Sequence, residues 1–137
     1  MEMKFTQYQG TVPVTVLHLE GSLDGSNYEK LVAEASRLYK TGIRNLVLDL
    51  SKLTFLSSAG ISSIHRVALM FKGKKVEELE EGWAAFRAMD RDRDGGTQQH
   101  VKLLNPSKEV SKVLEMVQFK TYFETYTDVH EAVASFH

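Results

Sequence analysis

The sequence predicts an α/β domain in which a mixed, mostly parallel sheet of four to five strands carries about four helices. The segment from Leu46 to Leu50 is apolar apart from Asp49, which is typical of a strand covered on both faces. The segment after it carries apolar residues at the spacing of one helix face, namely Ile61, Ile64, Ala68 and Phe71. The full predicted order is β-β-α-β-α-insert-β-α-β-α, which requires crossover helices between parallel strands.

Length and composition restrict the functional classes. At 137 residues the chain is expected to form one domain, 1–137, with an insert at about 74–99. A net charge of −1 gives no electrostatic case for nucleic acid or an anionic membrane as partner. The absence of cysteine excludes disulfides and thiolate metal sites and suits a reducing compartment. With no apolar run of membrane-spanning length, the expected location is the cytoplasm.

The amino-terminal part is predicted to form two strands and one helix. Strands are expected at 4–9 and 12–20, with Pro13 at the start or edge of the second, followed by a loop at 21–25. The run Ser26-Asn27-Tyr28-Glu29 matches a capping box, and Gly42 is expected to end the helix that it opens. His18 is interpreted as a strand residue on a half-exposed face.

The carboxy-terminal part is predicted to add two more strand–helix pairs. A strand is expected at 101–104, and Asn105-Pro106 predicts a helix with Asn105 as the N-cap and proline first in the helix. A second strand is expected at 121–126. The last helix is predicted to begin from Thr127 or Asp128.

A serine-rich turn lies between the central strand and the second long helix. After a polar bend at 51–52 and an apolar stretch at 53–56, the residues Ser57-Ser58-Ala59-Gly60 open a helix that ends at 72–73. In open α/β sheets this end of the strands is where functional residues usually lie. One interpretation is structural: Ser57 or Ser58 is the N-cap of this helix, because serine is a preferred cap, and Ala59 and Gly60 are small enough for close helix–sheet packing.

Three motifs carry a family resemblance. Gly21-x-Leu23-Asp24 follows the second strand, and Leu48-Asp49-Leu50-Ser51-x-Leu53-x-Phe55 precedes the turn, where Ser58-x-Gly60 opens the helix. Leu104-Asn105-Pro106 begins a later helix, which Phe119 and an aromatic-rich strand follow. Taken together, these motifs resemble a STAS domain, the fold of bacterial anti-sigma factor antagonists. The resemblance covers nearly the whole chain except about 74–99.

The resemblance implies a protein-binding module without a cofactor or an active site. In the family the unphosphorylated domain binds an anti-sigma factor, usually a serine-protein kinase, and phosphorylation of a serine at the start of the second helix abolishes binding. The matching position is Ser58, with Ser57 as second choice. The partner-binding residues that the resemblance implies are Asp24, Ser57, Ser58, Gly60 and Ile61.

Two positions depart from the family pattern. The family has an aspartate immediately before the phosphorylated serine, where this chain has Ser57, and a serine or threonine after it, where this chain has Ala59. These departures keep a second hypothesis open. In it the chain is a constitutive, non-phosphorylated STAS scaffold, a subunit of a larger signalling or transport complex.

The insert at about 74–99 is particular to this sequence. Its apolar residues have helical spacing and predict an amphipathic helix that packs on the domain or forms a homodimer contact; they are Val76, Leu79, Trp83 and Phe86. Asp90, Asp92 and Asp94 before Gly95 resemble the first half of an EF-hand calcium loop. However, Val101 occupies the position of the bidentate glutamate, so the sequence favours a solvated charged loop over a calcium site.

Catalysis has little support in the sequence. The five histidines show no metal-ligand spacing, and no glycine-rich phosphate loop is present. A Ser58–His65 dyad is excluded by distance, because seven helical residues separate the two by about 10 Å along the axis. His65 is therefore expected to be a partly buried helix residue.

Overall fold

The computed structural model describes residues 1–73 and 98–137. The strands in these residues are β1 (Glu2–Gln9), β2 (Pro13–Leu23), β3 (Leu46–Leu56), β4 (Gln98–Leu104) and β5 (Phe123–Tyr126). The helices are α1 (Tyr28–Lys40), α2 (Ser58–Phe71), α3 (Lys108–Met116), α4 (Phe119–Tyr122) and α5 (Val129–Ala134). None of these helices is long and apolar enough to cross a membrane. The helix predicted at 76–86 and the acidic loop at 90–94 lie outside the described residues.

The five described strands form one sheet in the order β1-β2-β3-β4-β5. β1 is antiparallel to β2, and every other neighbouring pair is parallel, which confirms the predicted mixed, mostly parallel sheet. One face of the sheet packs against α1, α2 and α3 through a core that includes Leu17, Leu48 and Ile64. On the opposite face, Val16 and Val47 belong to a smaller apolar cluster with residues of the α5 segment.

β3 is longer than predicted because bulges carry it through the polar bend. Its buried residues after Leu48 recur every third position, at Leu50, Leu53 and Leu56, a spacing that a regular strand does not have. Along the ladder with β2, register shifts occur between His18 and Glu20 and between Gly21 and Ser22, and β3 has an extra residue at each. Each extra residue in β3 reverses the order in which successive side chains point towards and away from α1, α2 and α3. The predicted bend at 51–52 is therefore wrong.

The end of β2 also differs from the predicted loop. Gly21, Ser22 and Leu23 pair with β3, so the strand continues to Leu23. The predicted capping box is wrong as well, because the hydroxyl group of Ser26 donates to Asp24 Oδ1 at 2.6 Å instead of accepting from the helix. Asn27 occupies the N-cap position of α1 without making a side-chain capping bond.

The start of α3 lies two residues later than predicted. Asn105 adopts a left-handed conformation with φ of 49°, and its N–H donates to the carbonyl oxygen of Tyr126 at 2.6 Å. This backbone contact between the ends of β4 and β5 prevents a helix from beginning there, so the N-cap position falls on Ser107. The strand predicted at 121–126 begins only at Phe123, because the buried Tyr122 ends α4.

Candidate functional site

The serine-rich turn begins α2, and Ser57 is its N-cap. The side-chain oxygen of Ser57 accepts the N–H of Gly60 at 3.2 Å, while its carbonyl oxygen accepts the N–H of Ile61 at 2.9 Å. The sequence left the cap open between Ser57 and Ser58, and the structure assigns it to Ser57. Ser58 is the first residue of the helix.

The turn is held against the end of β2 by backbone contact. The N–H of Ser57 donates to the carbonyl oxygen of Leu23 at 3.0 Å. A Cβ atom on Gly60 would lie 2.6 Å from the same oxygen, closer than side-chain atoms approach. Only glycine therefore fits at this position. The close approach places α2 beside the loop that follows β2, where Asp24 lies.

Asp24 organises the loop between β2 and α1. Its carboxylate accepts two hydrogen bonds from Ser26, from the hydroxyl group at 2.6 Å and from the backbone N–H at 2.9 Å. These bonds lower the pKa of Asp24 below its usual value, so the carboxylate is ionised at neutral pH. The side chain of Asn27 accepts the N–H of Asp24 and donates to the carbonyl oxygen of Ser22, which ties the loop to β2.

The five predicted partner-binding residues differ in exposure. Ser58 is exposed, while Ser57 and Asp24 are half-buried. Gly60 and Ile61 are buried, with Ile61 only 4% exposed. Their side-chain positions are occupied by the packing of α2 on the sheet, so these two residues support the turn instead of forming its surface. The accessible part of the site consists of Asp24, Ser57 and Ser58.

His65 faces the core and not the serine turn. Its side chain is 2% exposed, and its ring lies edge-on to that of Tyr122 with 6.0 Å between centroids. The burial is deeper than the partly buried position that the sequence predicts. Within residues 1–73 and 98–137, no group of three or more acidic or histidine side chains is placed to hold a metal ion.

A polar pair on the other face of the sheet was not predicted. His18 Nδ1 lies 2.6 Å from Asp49 Oδ2, and His18 Nε2 lies 3.0 Å from the hydroxyl group of Thr6. Burial raises the pKa of Asp49, but hydrogen bonds from Ser51 and His18 outweigh it, and the net pKa is lowered. The only signal in the sequence was Asp49, a single aspartate in an otherwise apolar strand. Its partner, His18, could not be identified without the register between β2 and β3.

Several solved structures share this fold. An anti-sigma factor antagonist from Mycobacterium paratuberculosis matches with a TM-score of 0.64 at 14% identity, over 98% of this chain and 93% of that one. A candidate anti-sigma factor antagonist from Thermotoga maritima matches with a TM-score of 0.68 at 15% identity, over 95% and 90% of the two chains. The Bacillus cell fate determinant SpoIIAA in its phosphorylated form matches with a TM-score of 0.51 at 19% identity, over 95% and 96%. These likenesses establish the fold.

The sequence itself identifies the family. Comparison with curated protein sequences gives no match. The family model of the STAS domain matches residues 4–78, more than half of the chain, and this range contains most of β1 and all of β2, β3, α1 and α2 together with the serine turn. The chain therefore belongs to the STAS domain family.

Proposed function

We propose that this chain is a regulatory protein-binding module, an anti-sigma factor antagonist, and that phosphorylation of Ser58 controls its binding to an anti-sigma factor kinase. The observation that carries the proposal is the exposed position of Ser58 at the first residue of α2. Structural neighbours that are anti-sigma factor antagonists, and one that is a phosphorylated form, support the same assignment. The proposal implies a protein of the bacterial cytoplasm that is not an enzyme.

A phosphate on Ser58 is compatible with the folded domain. The capping hydrogen bond is made by Ser57, so modification of Ser58 leaves the cap in place. The first turn of α2 contains no acidic residue, and its N–H groups and the helix dipole favour a nearby negative charge. The modified protein is therefore expected to remain folded, and the effect of the modification falls on the partner.

The phosphate would oppose binding through charge and desolvation. It adds about −2 charge and three strongly hydrated oxygens at the contact surface. Asp24 lies next to Leu23, whose carbonyl oxygen accepts the N–H of Ser57. The lowered pKa of Asp24 keeps its carboxylate charged, so a phosphate on Ser58 would add to a negative potential that already exists there. A penalty of about 2.8 kcal/mol is enough to reduce affinity about 100-fold.

A second function, the constitutive scaffold, is favoured by one specific observation. The N-cap of α2 is Ser57, where the family pattern has an aspartate, and Ala59 follows Ser58 where the pattern has a hydroxyl-bearing residue. If a kinase recognises those side chains, this chain is not its substrate. In that case the turn would be a fixed contact in a larger complex.

Intact-mass measurement after incubation with an anti-sigma factor kinase and ATP separates the two functions. We expect one added phosphate on the wild type and on Ser57→Ala, and none on Ser58→Ala. The scaffold would be favoured by an unmodified wild type. A phosphate that is retained on Ser58→Ala and lost from Ser57→Ala would move the acceptor to Ser57.

A further inference from the structure

Among the described strands, β1 lies at the edge of the sheet. Within residues 1–73 and 98–137, β1 pairs with β2 on one side and with no strand on the other. Edge strands are usually protected by charged side chains, by proline, by bulges or by shortness, because their unpaired N–H and C=O groups are a template for another strand. The charged residues of β1 are Glu2 and Lys4, and both lie on the amino-terminal side of Phe5. β1 is eight residues long, contains no proline, and pairs without a register shift from Glu2 to Gln9.

An exposed aromatic side chain lies at the middle of this edge. Phe5 is 47% exposed, and it lies opposite Leu17 on the face of the sheet that α1 covers. The guanidinium group of Arg37 on α1 lies 5.7 Å from its ring centroid and is paired with Glu34. Within the described part of the chain, this edge therefore combines backbone groups that pair with no strand, an aromatic side chain at its centre, and one positive and one negative side chain on α1 beside that ring.

We propose that β1 pairs antiparallel with β1 of a second copy of this chain, about a two-fold axis at Phe5, so that the two sheets become continuous. A two-fold axis perpendicular to the sheet keeps α1, α2 and α3 of both copies on the same side of the continuous sheet. With Phe5 opposite Phe5, the rings of the two copies bury each other. Lys4 then lies opposite Thr6, and Glu2 lies opposite Tyr8.

Charge and the aromatic pair favour an axis at Phe5 over axes at the neighbouring residues Lys4 and Thr6. Directly opposite residues in an antiparallel pair have their side chains on the same face of the sheet. The two-fold axis must therefore pass through a residue of β1, so that each side chain of one copy lies opposite a side chain on the same face of the other. An axis at Lys4 would place two ammonium groups directly opposite each other, which is destabilising. An axis at Thr6 would place Phe5 opposite Gln7 and would lose the aromatic pair. On α1, Arg37 and Glu34 form an ion pair beside Phe5, so each copy brings one positive and one negative side chain to the contact. These two side chains therefore add no net charge to the interface.

Sedimentation velocity over a range of concentrations tests the dimer. The wild type is expected to reach twice the chain mass of 15.5 kDa as concentration rises. Phe5→Glu would place like charges opposite each other and should raise the dimer dissociation constant at least about tenfold. Phe55→Glu is the matched control, since Phe55 is 53% exposed on β3 and is absent from the proposed contact.

A single introduced cysteine tests the register, because the chain has none of its own. Directly opposite Cα atoms in an antiparallel pair lie about 4.5–5.5 Å apart, within the range that a disulfide spans. Phe5→Cys should therefore form a disulfide-linked dimer under mild oxidation at least about tenfold faster than Phe55→Cys. If circular dichroism shows that Phe5→Glu fails to fold, the cross-linking rates of the two cysteine variants still test the dimer.

Three results would overturn the proposal. The first is a wild type that remains monomeric at all concentrations. The second is a dimer that Phe5→Glu and Phe55→Glu weaken equally. The third is equally slow cross-linking of the two cysteine variants.

Discussion

The carbonyl oxygen of Leu23 lies 2.6 Å from the place that a Cβ atom on Gly60 would occupy, so the backbone of α2 lies directly against the backbone of β2 at this point. The same oxygen accepts the N–H of Ser57 at 3.0 Å. The end of β2 is thus joined to the cap of α2 and packed against its first turn. This contact fixes the exposed Ser58 beside the loop that contains Asp24.

Gly60→Ala is expected to lower the free energy of unfolding by about 1–3 kcal/mol, because the added methyl group must displace the backbone of Leu23. Gly25→Ala is the control, since a Cβ there meets nothing within 4 Å and the residue is not among those at positive φ. Its effect should stay within about 0.5 kcal/mol. Urea denaturation measures both variants, and equal losses would contradict the importance of the close approach.

Ser57→Ala is expected to cost about 0.5–2 kcal/mol of stability, because it removes the side-chain oxygen that accepts the N–H of Gly60. Ser58→Ala should change stability by less than about 0.5 kcal/mol, because Ser58 is exposed and is not the cap. Thermal unfolding at one pH compares the two alanine variants. A larger loss for Ser58→Ala would mean that the cap has been assigned to the wrong serine.

Asp49 is expected to stabilise the protein at neutral pH and to lose this contribution in acid. Burial opposes ionisation, but hydrogen bonds from Ser51 and His18 hold its pKa below the usual 3.8. A carboxylate with a depressed folded-state pKa contributes fully above its unfolded-state pKa, and the contribution fades as pH falls through the folded-state value.

The stability gap between the wild type and Asp49→Asn should therefore be about 1 kcal/mol above pH ~5 and should shrink towards pH ~2. Urea denaturation at a series of pH values measures it. A gap that stays constant, or that grows in acid, would show that the charge on Asp49 has no stabilising role.

Lys102 is expected to hold the carboxy-terminal segment on the sheet. Its side chain is 4% exposed, and Nζ donates to the hydroxyl group of Ser135 at 2.8 Å and lies 3.3 Å from Glu124 Oε2. Lys102→Met keeps the apolar stem but leaves these oxygens without their donor, which should cost about 1–3 kcal/mol. Hydrogen exchange should quicken in α5.

The control for this prediction is Lys120→Met. Lys120 pairs with Glu115 at 3.0 Å, but both side chains are about one-third exposed or more, so the pair should contribute less than about 1 kcal/mol. Unchanged exchange in α5 for Lys102→Met, or equal destabilisation by the two variants, would contradict an anchoring role for Lys102.

Local patterns in the sequence were sufficient for the order of the elements and for the location of the serine turn. The apolar run of β3 and the helical spacing from Ile61 to Phe71 each depend on residues close in sequence, and both predictions are confirmed. The termination of α1 at Gly42, which has φ of 107°, is also confirmed. A glycine after the last helical residue is itself a local signal.

The errors have a common physical cause, which is that long-range backbone contacts determine local conformation. The bulges in β3 depend on its pairing with β2, thirty residues or more earlier in the chain. The left-handed Asn105 depends on its hydrogen bond to Tyr126. The burial of Ile61 and the pairing of His18 with Asp49 likewise follow from packing and register, which residue type alone does not encode.

Calorimetric titration of the phosphorylated and the unphosphorylated protein into an anti-sigma factor kinase measures whether Ser58 controls binding. Ser58→Ala serves as the unmodifiable control and should bind like the unmodified wild type. We expect the phosphate on Ser58 to weaken binding about 100-fold while circular dichroism shows an unchanged fold. Equal affinity of the two forms would contradict this expectation.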